Sequence, residues 1–197
     1  GIRGNLRSGV DREKVLGCGK GARPKFGMFL REGKMVHETA LVHPSVMVPD
    51  SSVIWAFCNI GAGVFIGENV SIGALSEIGN YSRIGEGTRI SMGVFLPNRT
   101  YLGKYVFVGP HATFTDDKYP DVTKAQYYPK PPVVHDWASI GAAATILPGV
   151  VIGAYARVGA AAVVTKDVQT ATTVIGNPAV RVRKDGDKEV MANGDVA

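Results

Sequence analysis

The sequence predicts an all-β chain wound as a parallel β-helix of about six to seven coils. One loop is extruded at 115–133, and a short cap closes the C-terminal end. Three observations carry this expectation. An apolar residue recurs at every sixth position from Val42 through Ile60, Ile78, Leu96 and Phe114, thirteen positions without a miss. The phase breaks after Phe114 and resumes at Val134, Ile140, Ile146, Ile152, Val158 and Val164. Glycine follows the apolar residue in ten places, among them 61, 79, 109 and 159, and a small or β-branched residue stands four places after it.

A period of six fits neither an amphipathic helix near 3.6 nor a simple alternating strand. It fits three short strands that close a triangular coil every eighteen residues. In this reading the aliphatic residue points inward, the small residue turns the corner, and glycine supplies backbone freedom beside it. Residues eighteen apart then form ladders, Ile60, Ile78 and Leu96 on one face and Ile66, Ile84 and Leu102 on the next. A single coil cannot bury its own ladder, so several must stack. The 25 glycines among 197 residues, with few aromatics, agree with many short strands.

Charge divides the chain. Residues 1–35 hold nine Lys or Arg against three acids, whereas 36–197 hold thirteen against fourteen. The net charge of +5 thus belongs to a basic N-terminal segment, 1–35, read as an arm or leader. The β-helix domain is expected at 36–169 and the cap and tail at 170–197. Nucleic acid is a less favoured partner than the charge alone suggests, because the basic excess lies outside the repeat. No apolar run is long enough for a membrane span, and no cleavable secretion signal opens the sequence. Cys18 and Cys58, without metal-ligand spacing, suit a reducing, cytoplasmic setting.

Reactive groups are few. His37 and His43 stand six apart, on different faces, so no metal site is expected from them, and His43 suits a structural edge. His111, at the last corner before the loop, is a candidate proton acceptor. Asp116 follows it within one hexapeptide and could hold or deprotonate an ammonium, and Asp117 and Tyr119 lie beside it as candidate substrate contacts. His135 re-enters after the loop and could approach the same region. Tyr119, Tyr127 and Tyr128 suggest that the loop packs against something. The Gly- and Ala-rich stretch 140–168, including Ala143 and Ala161, would let an extended ligand run close to the backbone. Lys166, Arg181 and Arg183 could meet phosphates.

Residues 42–182, ending in VTKDV and VIGNPAVRVRK, resemble the hexapeptide-repeat acyltransferases. That resemblance implies a left-handed coil, a homotrimer with active sites between neighbouring prisms, and acetyl-CoA along the C-terminal coils, near Ala143, Ala161, Lys166, Asn177 and Arg181. A narrower resemblance joins HPSVMV, IWAFCNIGAGVFIG and VFVGPHATFTDDKYP to the nucleotide-sugar 3-N-acetyltransferases, which act on aminosugars for surface polysaccharides. Trp55, Phe57, Phe114, Thr115, Asp116 and Pro120 carry it. The family commonly has Asn where this chain has Asp116, and Arg where it has Asp121. The resemblance implies an N-acetyltransferase in which the position of Asp116 contacts the sugar amine, with Trp55 near the substrate. The closeness of His111 to Asp116 in sequence makes Asp116 the candidate to hold the ammonium and His111 the candidate base. The rival readings are an O-acetyltransferase acting on a hydroxyl, a γ-type carbonic anhydrase and a non-enzymatic scaffold.

Overall fold

The computed structural model describes residues 35–123 and 128–182. The basic segment through residue 34, loop residues 124–127 and the tail 183–197 lie outside the described residues. Cys18, Tyr127 and Arg183 fall there, with the reading of an arm or leader.

Two-residue strands follow one another at six-residue intervals and sort into three parallel sheets, the faces of a triangular prism. The first face runs from Met35–Val36 through Phe107–Val108 and Ser139–Ile140 to Thr173–Ile175. The second runs from Leu41–Val42 through Phe95–Leu96 and Thr113–Phe114 to Val163–Val164. The third runs from Phe65–Ile66 through Val133–Val134 to Val151–Ile152. Pairing joins residues eighteen apart, Asn59 with Glu77 and Ile60 with Ile78, as the ladders require. Across the loop the offset widens but the register holds, with Leu102 opposite Val134.

The first face stacks eight parallel strands, so the prism has about eight turns, extending the six to seven read from the repeat. One turn is gained at the start, where Val36 and Ala40 are buried ahead of Val42. Another is gained at the end by a phase slip. Val168 follows Val164 after four residues instead of six, yet it still bridges Ile152 and is buried. The last strand on the first face then turns back into an antiparallel partner, Val180–Arg181, which forms the cap.

The inward aliphatic ladder is the core. Ile60, Ile78, Leu96, Phe114, Ile146 and Val164 on the second face are all buried, and the other faces repeat the pattern. Two details of the corner differ from expectation. The small residue four after the aliphatic one lies inside the prism, just past the turn, and does not make the turn itself. The turn is made by the residue before it, which takes a left-handed φ even where it is Phe57, Leu75, Tyr81 or Trp137. The glycine after the aliphatic residue is required by close stacking and not by its φ. A Cβ at Gly61 would lie 2.5 Å from Asn80 Oδ1 and 2.8 Å from Asn80 N in the next coil.

Buried hydroxyls stitch the coils before the loop. Thr88 Oγ1 donates to the Gly103 carbonyl at 2.8 Å and accepts from the Val106 amide at 3.2 Å. Thr88→Val keeps the volume and leaves both backbone groups without this partner. It is expected to cost about 1–3 kcal/mol, read as a lowered denaturation midpoint with unchanged m-value.

Candidate active site

The corner between the first and second faces carries the most suggestive groups. Its left-handed rungs are Phe57, Leu75, Gly93, His111, Ala143 and Ala161. Each rung's amide bonds to the coil below: His111 N donates to Met92 O at 2.9 Å, Ala143 N to Pro110 O at 2.8 Å and Ala161 N to Ala142 O at 2.8 Å. His111, Ala143 and Ala161 are therefore successive rungs of one edge. Trp55 opens the same corner three coils below His111, about 14 Å along the axis at ~4.8 Å per coil, and is partly exposed.

Above His111 the edge offers only methyl groups, from Ala142, Ala143, Ala160 and Ala161. The chain then passes over the same edge once more at Gly176–Asn177, where Val163 N donates to Gly176 O at 3.0 Å. Asn177 is exposed there. The edge is thus an exposed imidazole below a low, smooth strip topped by an amide side chain. An extended chain of methylenes and amides can lie along such a strip without steric obstruction.

The corner between the second and third faces holds the carboxylates. Asn80, Asn98 and Asp116 stand eighteen apart on successive rungs. Asn80 Oδ1 accepts from Ala62 N and Asn98 Oδ1 from Asn80 N, both at 2.7 Å. Asp116 is half-buried on the next rung. The loop leaves here, and its neck is closed by Lys130 N donating to Asp116 O at 2.8 Å and Gly149 N to Lys130 O at 2.6 Å. Asp117 Oδ1 accepts from Tyr119 N at 3.1 Å, and Lys118 Nζ lies 5.4 Å from the centre of the exposed Tyr119 ring. Asp116, Asp117 and Tyr119 are thus held together.

His111 and Asp116 do not share a corner of one prism. They flank the strand Thr113–Phe114, about 15 Å apart along an extended chain. A site using both spans the second face or draws on two chains. His135 does not reach His111 either. It opens the third corner, its ring 6.4 Å from that of Tyr101, with the first face between the two histidines. That corner is stapled instead by stacked rings, Tyr105 on Trp137 at 4.3 Å and Trp137 on Tyr155 at 6.2 Å.

Lys166 and Arg181 converge at the C-terminal end of the prism. With Asp167, Gln169, Thr172 and Ala179 they line an open hollow of about 360 Å³. The residues expected to hold the acyl donor therefore fall into two groups, Ala143, Ala161 and Asn177 on the edge and the two cations in the hollow. His43 is a local brace, its Nδ1 2.9 Å from Ser45 Oγ, and His37 repeats the device with Thr39. Cys58 is buried, and burial pushes its thiol above the ordinary range while nearby backbone groups pull weakly the other way. That raises the share of inert thiol over thiolate. No group of three or more His, Cys, Asp or Glu that could hold a metal ion occurs among the described residues, and no helix there is long and apolar enough to cross a membrane.

Sequence reasoning missed Gly93, beneath His111, and the asparagine rungs below Asp116. Both were signalled by the eighteen-residue spacing, which places 93 under 111 and 80 and 98 under 116.

Comparison with known proteins defines the class. No family model matches the sequence. Over 93 residues, 45% of each chain, the sequence is 32% identical to galactoside O-acetyltransferase of Lactococcus lactis. The fold matches a mutant perosamine N-acetyltransferase from Caulobacter crescentus, crystallised with CoA and GDP-perosamine, at a TM-score of 0.53 and 27% identity. That match covers 76% of this chain and 56% of the other. The acetyltransferase domain of PglB from Neisseria gonorrhoeae, in complex with acetyl coenzyme A, superposes at a TM-score of 0.56 over 76% of this chain and 58% of that one; at 19% identity this likeness concerns the fold. The chain resembles the hexapeptide-repeat acetyltransferases, and its solenoid is their left-handed parallel β-helix. The matched stretch spans less than half of the curated relative and a little over half of the solved structures.

Proposed function

We propose that the chain is an acetyl-CoA-dependent N-acetyltransferase acting on the amino group of a nucleotide-linked aminosugar, in a cleft between prisms of a homotrimer. The observation that carries this reading is the edge on which His111 stands directly below the alanine rungs 143 and 161. The pantetheine arm lies along these rungs and brings the thioester down to the imidazole. Asn177 meets the arm where the chain crosses the edge, and Lys166 and Arg181 meet the phosphates from the hollow. The same donor is bound by the Neisseria domain, and a nucleotide-linked sugar by the Caulobacter enzyme.

In the transfer, the sugar amine attacks the thioester carbonyl, a C–N bond forms, and the C–S bond breaks as the coenzyme leaves as a thiol. The proton of the bound ammonium passes to His111 Nε2 as the amine attacks, and the second proton shed by the nitrogen as the tetrahedral intermediate collapses goes to the departing sulfur. Asp116 holds the amine, and Asp117, Tyr119 and Trp55 contact the sugar nucleotide. Because His111 and Asp116 occupy different corners of one prism, a trimer that sets the loop corner of one chain against the His111 edge of its neighbour completes the site. The compartment is the cytoplasm, and the product serves surface polysaccharide synthesis.

The reading is tested by incubating the purified protein with acetyl-CoA and a panel of nucleotide-linked aminosugars, alongside galactosides and the matching hydroxyl sugars. Thiol release with aminosugars alone supports it. The likeness to a galactoside O-acetyltransferase gives a second reading, transfer to a hydroxyl. Turnover of the hydroxyl acceptors and not the amines selects that one.

A further inference from the structure

We propose that Gly93 is a positioning residue that orients the His111 imidazole, an inference that rests on reading His111 as the proton acceptor. Each corner of the prism has one rung where a glycine with left-handed φ lies beneath a ring eighteen residues later. Gly63 (φ +65°) lies under Tyr81, Gly87 (φ +68°) under Tyr105, and Gly93 (φ +66°) under His111. At Gly63 a Cβ would stand 2.6 Å from Cδ1 of Tyr81; at Gly93 it would stand 2.5 Å from Nδ1 and 2.7 Å from Cε1 of His111. At Gly87 it would meet Cδ1 and Cε1 of Tyr105 just as closely. In each case the ring occupies the space that a methyl group would fill.

For the tyrosines this is packing. For His111 it also fixes which nitrogen is presented. The ring atoms nearest the glycine are Nδ1, Cε1 and Cγ, so Nε2 stands farther from the wall. The backbone beneath the ring is held by the amide bond to Met92 O and a φ of 58°. The rings are exposed, so a methyl group at any of the three glycines is relieved most readily by swinging the ring outward. That swing costs Tyr81 and Tyr105 a packing contact. It costs His111 the aim of its nitrogen.

The three rungs therefore supply their own controls. Gly93→Ala, Gly63→Ala and Gly87→Ala carry the same kind of backbone penalty and are each expected to lower the melting temperature, Gly87→Ala the most because Tyr105 stacks on Trp137. Only Gly93→Ala is expected to lower kcat, by about 100-fold, the scale on which a misplacement near 1 Å acts. It is also expected to move the acid limb of the kcat/KM profile, whereas the two control variants keep the kcat and profile of the unaltered chain. A Gly93→Ala variant that behaves like the controls, alongside an inactive His111→Ala, overturns the positioning role. A His111→Ala variant with full turnover overturns the reading of His111 itself, which is a separate failure. Should Gly93→Ala not fold, nuclear Overhauser contacts between the His111 ring and the Gly93 α-protons in the unaltered protein decide the matter. Their presence supports the proposal, and their absence refutes it.

Discussion

His111→Ala is expected to lower kcat by about 10²–10⁴-fold, the usual worth of a positioned general base, while thermal melting stays close to that of the unaltered chain. The melting expectation follows from the side chain's surroundings. The imidazole is exposed, and the bond that ties this rung to the coil below is made by its backbone amide to Met92 O. The activity loss has a further signature, because an amine can shed its proton to water before it binds. As pH rises toward the pKa of the acceptor amine, the free-base fraction grows and the variant's deficit should shrink. A hydroxyl acceptor offers no such relief, since its pKa lies far above any working pH. The pH dependence of the deficit therefore also separates transfer to nitrogen from transfer to oxygen. A variant with full turnover across the whole range would remove His111 from the chemistry.

Phe114→Ala is expected to destabilise the fold by about 3–5 kcal/mol and to lower activity with it. Phe114 is wholly buried and is the bulkiest side chain in the aliphatic ladder. It fills the prism at the coil where the chain leaves for the loop, pairing Thr113–Phe114 with Thr145–Ile146 above. Truncation leaves a void that its neighbours can close only by collapsing strands whose two residues are both tied into the ladder. The same strand separates His111 from Asp116, so any shift there moves both candidate groups. Denaturant unfolding, with turnover measured on the folded fraction, is the check. A cost near that of a surface substitution would mean that the coil is packed by something other than this ring.

The ladders were legible because a hexapeptide period leaves little choice. Each inward position from Ile54 to Ile152 is aliphatic or aromatic, and each is buried. The slip from Val164 to Val168 was not legible, because a four-residue step mimics the end of the repeat unless the bridge to Ile152 is seen. The corner geometry was hidden for a different reason. Left-handed backbone is ordinarily left to glycine and asparagine, yet Leu75, Tyr81 and Trp137 adopt it here. Amide bonds from coil to coil hold these turns open, and such bonds have no signature in a single repeat. In the candidate site, counting in eighteens joins Ala143 to Ala161. Their alignment above His111 crosses the loop, where the offset between coils widens, and the strand pairing of Val108 with Ile140 was needed to place them on one edge. Closeness in sequence suggested that His111, Asp116 and His135 cluster, and the prism separates them, because each successive strand turns the chain onto a new face.

The proposed path of the acyl donor runs along the His111 edge, and Ala161→Trp tests it most directly. Ala161 is an exposed rung two coils above His111, its amide bonded to Ala142 O, so a bulky side chain there blocks the strip while its indole can point into solvent. Calorimetric titration of acetyl-CoA should show binding to the unaltered chain and at least about tenfold weaker binding to the variant, a loss near 1.4 kcal/mol, with thermal melting little changed. Equal affinity for both proteins would contradict the placement of the donor.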